Sequence, residues 1–347
     1  MNEKVKIAID LMGGENSPDK NIEGIEIFIK RNKKYNDYFF YLFGDENIIK
    51  KKIKKKSINN YEIIDTKIIV SDDLPALSAL KKGKNSSMWK CIESQNLLNT
   101  DVSLSAGNTG VLLVMSKMIL KTLDDVDKPA LAGLWPNKNG MNVVLDLGAN
   151  VDCSEKNLID FSEMGAALYQ SLFPKEKAKV ALLNIGSEEI KGTELLKGTF
   201  SKLKKLDNIG DFNFMGYIEG NNIMEGKCNV IVTDGFTGNV ALKTAEGTAN
   251  FLTDNLKQAL SNNIFSKFSS LFSYFPLKKF KNKIDPRKYN GAIFLGLKGP
   301  VVKSHGATDA IGFSYSLDVC YKIAKSKMIS KIKENLNNIK KIKNEEK

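Results

Sequence analysis

The sequence predicts an α/β protein of three α/β/α layers built on a mainly parallel sheet, with an amphipathic helical pair protruding from it. Three observations carry that expectation. Apolar runs of strand length alternate with helix-like stretches, four of the runs end in polar turns that contain glycine, and no Pro/Gly/Ser linker interrupts the 347 residues. The span 1–330 therefore reads as one domain, open to division into two lobes, and 331–347 as a lysine-rich C-terminal tail.

Lys4 to Leu11 is an apolar strand running into Asp10-Leu11-Met12-Gly13-Gly14, and Asn16-Ser17-Pro18 opens a helix that carries Ile22 to Ile29 at helical spacing. Tyr38 to Phe43 is a second strand, and a lysine-rich helix leads from it to a third, Ile63 to Val70. Further strands are expected at Val102 to Ser105, Leu131 to Trp135, Val143 to Leu147, Val180 to Ile185, Phe212 to Tyr217, Val230 to Thr233 and Ile293 to Leu297. Helical stretches between most of them argue for parallel pairing and a sheet covered on both faces. From Phe251 to Ile284 the alternation stops: apolar residues recur every three or four positions, and Pro276 splits the run into two helices. This pair either covers the core or a second copy of the chain, or lies in a membrane interface with Phe265, Phe268, Leu271 and Phe272 as its contacts.

The four glycine turns are Ser105 to Gly110, Asp146 to Asn150, Asn184 to Glu189 and Asp234 to Asn239. Placed at the ends of successive buried strands, they would set amides and small polar side chains along one rim of the sheet, where such folds bind ligands. Known phosphate signatures are missing: there is no GxxxxGK[ST] loop, and Met12-Gly13-Gly14 lacks dinucleotide spacing, which disfavours ATP and NAD. Neither HExxH nor GxSxG occurs. The four cysteines form no CxxC pair and no zinc pattern with the single histidine, so neither a metal nor another cofactor is expected. Cys153 has no second histidine to activate it as a nucleophile. An enzyme built from these parts would work by positioning and electrostatics. Lys191 could neutralise a phosphate or an oxyanion, Asn239 could donate to a carbonyl oxygen, and His305 lies in a glycine-containing turn.

A formal charge of +12 suggests an anionic partner. Only Arg31 and Arg287 are arginines, however, and bidentate base or phosphate recognition favours Arg, so nucleic acid is not expected. No run of eighteen uncharged apolar residues occurs and Met1 to Asp10 does not have the order of a secretory signal, which together point to the cytoplasm.

Taken in order, the segments Ile7 to Gly14, Lys84 to Met88, Ser105 to Gly110, Leu145 to Cys153, Leu183 to Gly186, Lys191 to Leu195, Asp234 to Asn239, Gly299 to Lys303 and His305-Gly306 closely resemble the PlsX family, the phosphate acyltransferases of bacterial phospholipid synthesis. The match spans almost the whole chain. It departs at Glu15-Asn16, where the family has Asp-His, so any imidazole chemistry must rest on His305. The resemblance implies that inorganic phosphate attacks a long-chain acyl thioester on acyl carrier protein, giving acyl phosphate and free carrier. It also implies a fold like that of isopropylmalate dehydrogenases and phosphotransacetylases, a homodimer, contact with the inner face of the membrane, and delivery to a glycerol-3-phosphate acyltransferase.

On this reading Lys191, Asn239 and His305 are catalytic, while Asp10, Gly13, Gly14, Gly107, Asn108, Thr109, Gly148, Asn150, Asp234 and Gly238 contact phosphate or substrate. Phosphate is a competent nucleophile near neutral pH and a thiolate leaves readily, so no covalent intermediate is required. The alternatives are a phosphate acyltransferase using acyl-CoA, a decarboxylating dehydrogenase of the same fold, and a basic lipid- or nucleic-acid-binding scaffold.

Overall fold

The computed structural model describes residues 4–54, 56–70, 76–207, 211–261, 275, 278–279, 285–326 and 328–345. Its first half runs β1 (Val5–Asp10), α1 (Asp19–Arg31), β2 (Tyr38–Gly44), α2 (Glu46–Ile53), β3 (Tyr61–Asp65), α3 (Ala76–Lys82), α4 (Ser87–Leu97), β4 (Val102–Ser105), α5 (Thr109–Leu120), β5 (Ala130–Pro136), β6 (Met141–Leu145) and α6 (Glu155–Leu172). The second half runs β7 (Ala178–Asn184), α7 (Glu194–Leu206), β8 (Phe212–Glu219), β9 (Val230–Val232), α8 (Gly235–Ser261), β10 (Ala292–Leu295), β11 (Val301–Lys303), α9 (Ala310–Ser326) and α10 (Met328–Glu345).

Among the described residues the strands form one sheet in the order β3-β2-β1-β4-β11-β10-β5-β6-β9-β7-β8. Pairing is parallel from β3 to β11 and again from β6 to β8, as the α/β alternation predicts. Three consecutive pairings, β11 with β10, β10 with β5 and β5 with β6, are antiparallel. An odd number of reversals turns the second block of strands end for end. The turns after β6, β7 and β9 therefore leave the opposite end of the sheet from those after β1, β4 and β11. The single rim expected from the four glycine turns is thus two rims. The cause is local: Asn137 to Gly140 closes β5 and β6 into a hairpin, with the Asn137 amide donating to the Gly140 carbonyl at 3.0 Å.

Central strands are buried on both faces: in β6 and β9 the successive residues Val143, Val144 and Leu145 and Val230, Ile231 and Val232 are all essentially inaccessible. Burial of each such side chain is worth about 1.5–3 kcal/mol. Ser154 and Asn157 close a capping box at the head of α6, which then runs through the core past Phe161 and Met164. Helix α1 turns Ile22, Ile25 and Phe28 inward, and Gly24 lets it approach α9: a Cβ there would lie 2.8 Å from the Phe313 ring. The only two arginines are engaged on α9 and just before it. Arg31 pairs with Asp318 and covers the Tyr315 ring at 3.9 Å, while Arg287 pairs with Asp285 and Asp309.

Two sequence expectations change here. The chain from 331 does not start as a free tail, because α10 packs on α6 with Met328 and Ile332 buried. The helix bearing Phe251, Leu252 and Leu256 begins at Gly235, directly on a glycine turn, and exposes those three side chains. Phe265, Phe268, Leu271 and Phe272 lie outside the described residues. Among the described residues, no helix is long and apolar enough to cross a membrane.

Candidate active site

At the first end of the sheet the turns after β1, β4 and β11 interlock. Gly13 sits so close to the β4 turn that a Cβ would be 2.7 Å from the Gly107 nitrogen, and a Cβ on Gly14 would be 3.1 Å from the Gly306 carbonyl oxygen. Asp10 is buried beneath them and accepts the Ser105 hydroxyl at 2.6 Å and the Met12 amide at 3.2 Å. Burial pushes its carboxyl above the ordinary carboxylate range, against the pull of donors from Ser105, Ser87, Met12 and Gly13. Asn108 caps α5 by accepting the Val111 amide at 3.1 Å. Thr109 and Gly110 open the helix and are exposed, so their amides, which have no acceptor within the helix, face the surface.

Two buried lysines stand behind this rim. Lys303 donates to the Ala106 carbonyl at 3.3 Å and to that of Ser304, and Lys20 donates to the Gly306 carbonyl at 2.5 Å. His305 is exposed above them. Asn290 holds its turn with both arms of the side-chain amide, accepting the His305 N–H and donating to Ser304 Oγ, each at 2.9 Å.

At the second end Asp146 organises the β6 turn. One carboxylate oxygen accepts the amides of Leu131, Gly148 and Ala149, and the other accepts the amide and Nδ2 of Asn150. The Gly148–Asn150 amides are thereby committed to a carboxylate of the chain itself. Asp234 is committed too, capping α8 through the Thr237 amide and hydroxyl, both at 2.8 Å. Gly238 is a point of close approach, where a Cβ would lie 1.9 Å from the Asp146 carbonyl oxygen. Gly148 faces Asn239, with 3.4 Å between its virtual Cβ and that of the asparagine. Lys191 folds over Gly186, and Asn184 steadies its loop by donating to the Lys191 carbonyl at 3.1 Å. Among the described residues neither Lys191 nor Asn239 has its exposed side chain engaged by a hydrogen bond.

Helix α8 joins the two ends. Asn239, Lys243 and Glu246 follow at spacings of four and three and share one helix face, and the Lys243–Glu246 ion pair on that face acts electrostatically on His305. The face of α8 that carries Asn239 is thus the one within electrostatic reach of His305. No comparable link reaches Lys191 among the described residues. The thiols do not enter: burial and the Asp146 charge push Cys153 up to about 11, and Cys91, Cys228 and Cys320 are buried. No group of three or more acidic, His or Cys side chains able to hold a metal occurs among the described residues.

Sequence reasoning passed over Lys20, Lys303, Asp146 and Asn290 as site residues. Lys20 reads as one more lysine on an amphipathic helix, and nothing local shows that the strand bearing Lys303 lies beside β4. Asp146 was detectable, since an Asp two residues before a glycine turn often accepts that turn's amides.

The chain was compared with known proteins. The model of the family described as fatty acid synthesis protein matches residues 5–331. A phosphate acyltransferase of Pelagibacter ubique is 55% identical over 336 residues, covering 97% of this chain and 100% of that protein. One from Agrobacterium fabrum is 40% identical, covering 96% and 94%. Among solved structures, a phosphotransacetylase from Streptococcus pyogenes superposes with a TM-score of 0.61 at 15% identity, covering 94% of this chain and 95% of that one. The EutD phosphotransacetylase from Staphylococcus aureus gives 0.58 at 15% identity, covering 93% and 94%. These two show a shared fold, and the sequence matches, which run nearly end to end, show kinship: the chain belongs to the fatty acid synthesis protein family, alongside the phosphate acyltransferases.

Proposed function

We propose that the chain transfers a long-chain acyl group from the thioester of acyl carrier protein to inorganic phosphate. A phosphate oxygen attacks the thioester carbonyl carbon, the oxyanion collapses, and the C–S bond breaks. The carrier thiolate takes up the proton that hydrogen phosphate brought, leaving acyl phosphate and free thiol. As a member of its family the chain is an acyl-transferring enzyme; the carrier, the chain length and the location are the finer part of the proposal.

The observation that carries this reading is the exposed first turn of α5, Thr109 and Gly110, on the rim behind which Lys20 and Lys303 are buried. Unpaired amides and two ammonium groups favour a small dense anion there. The β6 turn is a poorer phosphate holder, because the Asp146 carboxylate already occupies its amides and would repel an anion. Asn239 and His305 then supply donors for the oxyanion. Exposed Ile185, Ile190, Phe236 and Val240 at the second end of the sheet give an acyl chain apolar surface to lie on.

The lysine surplus suits an acidic carrier, and exposed Phe251, Leu252 and Leu256 on α8 suit a second copy or the inner face of the membrane, where a glycerol-3-phosphate acyltransferase would take the product. The test is phosphate-dependent loss of thioester, run in parallel with acyl carrier protein and acyl-CoA at rising salt. Carrier turnover that falls steeply with salt supports the reading. Equal use of acyl-CoA would replace the carrier with the coenzyme, and loss of thioester without phosphate would overturn the function.

A further inference from the structure

The turn that carries His305 fixes more than the position of the ring. Its Nδ1 lies 3.3 Å from the Ala307 amide nitrogen and accepts that N–H. A backbone amide can only donate, so Nδ1 holds a lone pair and the single proton of a neutral imidazole is on Nε2. The contact is not left to a mobile loop: Asn290 holds the His305 amide and Ser304, while Lys20 and the Glu15 amide both donate to the Gly306 carbonyl.

We propose that His305 serves the transfer as a neutral hydrogen-bond donor through Nε2–H, neither base nor cation, with buried Lys303 as its positioning residue. This rests on the function proposed above. A general base would need its lone pair on Nε2, which the Ala307 contact assigns to Nδ1. An imidazolium would set Nδ1–H against the Ala307 N–H, donor to donor. It would also add a positive charge near Lys303, whose ammonium is fixed on the carbonyls of Ala106 and Ser304.

The charged groups around the ring agree. Partial burial of the imidazole and then the Lys303 charge hold it below its ordinary value, and Lys243 on α8 acts the same way. Glu246 on α8 and Glu15 after β1 oppose them, and Lys20 stands on the next carbonyl of the turn. Asp309, three residues after Gly306, pairs with Arg287, which it shares with Asp285. A neutral donor needs no proton transfer: it strengthens its bond as charge builds on the carbonyl or phosphate oxygen and releases the product unchanged.

The chain has one histidine, so nitrogen NMR of the full-length protein gives one imidazole spin system. The expected spectrum near neutral pH shows an unprotonated Nδ1 and a protonated Nε2, with a titration midpoint below 6.5. Lys303→Met should raise the midpoint, and Lys303→Arg should keep it low. In turnover, His305→Gln retains a donor and should keep kcat within roughly tenfold, whereas His305→Ala should lose roughly a hundredfold. A protonated Nδ1 in the neutral ring, a midpoint at or above 6.5, or a glutamine variant as slow as the alanine one overturns the proposal. If Lys303→Met fails to fold, the wild-type spectrum decides alone. A parent protein inactive toward every thioester would sink the function, and the spectrum would still report the tautomer.

Discussion

The carboxylate of Asp10 accepts the hydroxyl of Ser105 at 2.6 Å with both residues buried, so the first and fourth strands meet through a charge beneath the rim. Because burial raises this carboxyl, the native state binds its proton more tightly than the unfolded chain does. The stability it contributes is full below the ordinary value of 3.8 and is lost as pH rises through the folded value. Asp10→Asn removes that loss. The melting temperature of the variant, relative to the parent, should climb as pH rises above the ordinary value of 3.8; a difference that stays flat with pH would show that Asp10 does not titrate as its burial requires.

Gly13→Ala tests the contact between the β1 and β4 turns. The new methyl would stand 2.7 Å from the backbone nitrogen of Gly107 and 2.6 Å from the Asp10 carboxylate, which is buried and held by the Ser105 hydroxyl. A cost of about 1–3 kcal/mol in denaturant unfolding is expected, with KM for phosphate raised more than KM for the thioester. An equal rise in both would move phosphate away from this rim.

Asp146→Asn probes the second end. Five donors converge on the two oxygens of Asp146, and an amide would turn one acceptor into a donor facing N–H groups. Stability should fall by about 2–4 kcal/mol, and turnover should fall with it as Gly148 shifts against Asn239. Unchanged unfolding would mean the turn is held by its other contacts.

Lys191→Ala and Asn239→Ala should leave the melting temperature unchanged, since both side chains are exposed and engaged by no hydrogen bond among the described residues. Acyl phosphate formation should fall by roughly a hundred- to a thousandfold for a residue that donates to the oxyanion. Near-normal rates with either variant would remove that residue from the site. Lys191 is the more exposed to this outcome, because only Asn239 is tied through α8 to His305.

Local pattern carried the fold a long way. The strands at Tyr38, Val102 and Phe212 start where periodicity places them, and the helix after Asp10 follows its polar turn. Val301–Lys303 was missed because a three-residue strand beside a Gly-Pro turn has no period to read. The antiparallel step from β5 to β6 was missed although Asn137 to Gly140 is an ordinary hairpin signal, because parallel neighbours set the expectation. That one step decides which loops can share a site. The sequence reading took Asn108 for a phosphate contact, and its capping of α5 is a local role the sequence could have shown; Lys20 and Lys303 act across 286 and 197 positions of sequence, which no window spans.

Both guanidinium groups of this chain are anchored against α9 and its approach, one over Tyr315 and one between Asp285 and Asp309. Neither is left to make a planar two-pronged clasp on the nucleophile. Recognition by amides and ammonium point charges senses size, tetrahedral shape and charge, but discriminates weakly among oxyanions alike in all three. Arsenate should therefore substitute for phosphate at comparable KM. The acyl arsenate formed would hydrolyse in water to fatty acid and arsenate, so thioester would drain away without any acyl phosphate accumulating, a leak readable as free fatty acid. Rejection of arsenate would require a selectivity element beyond the rim of Asn108, Thr109 and Gly110.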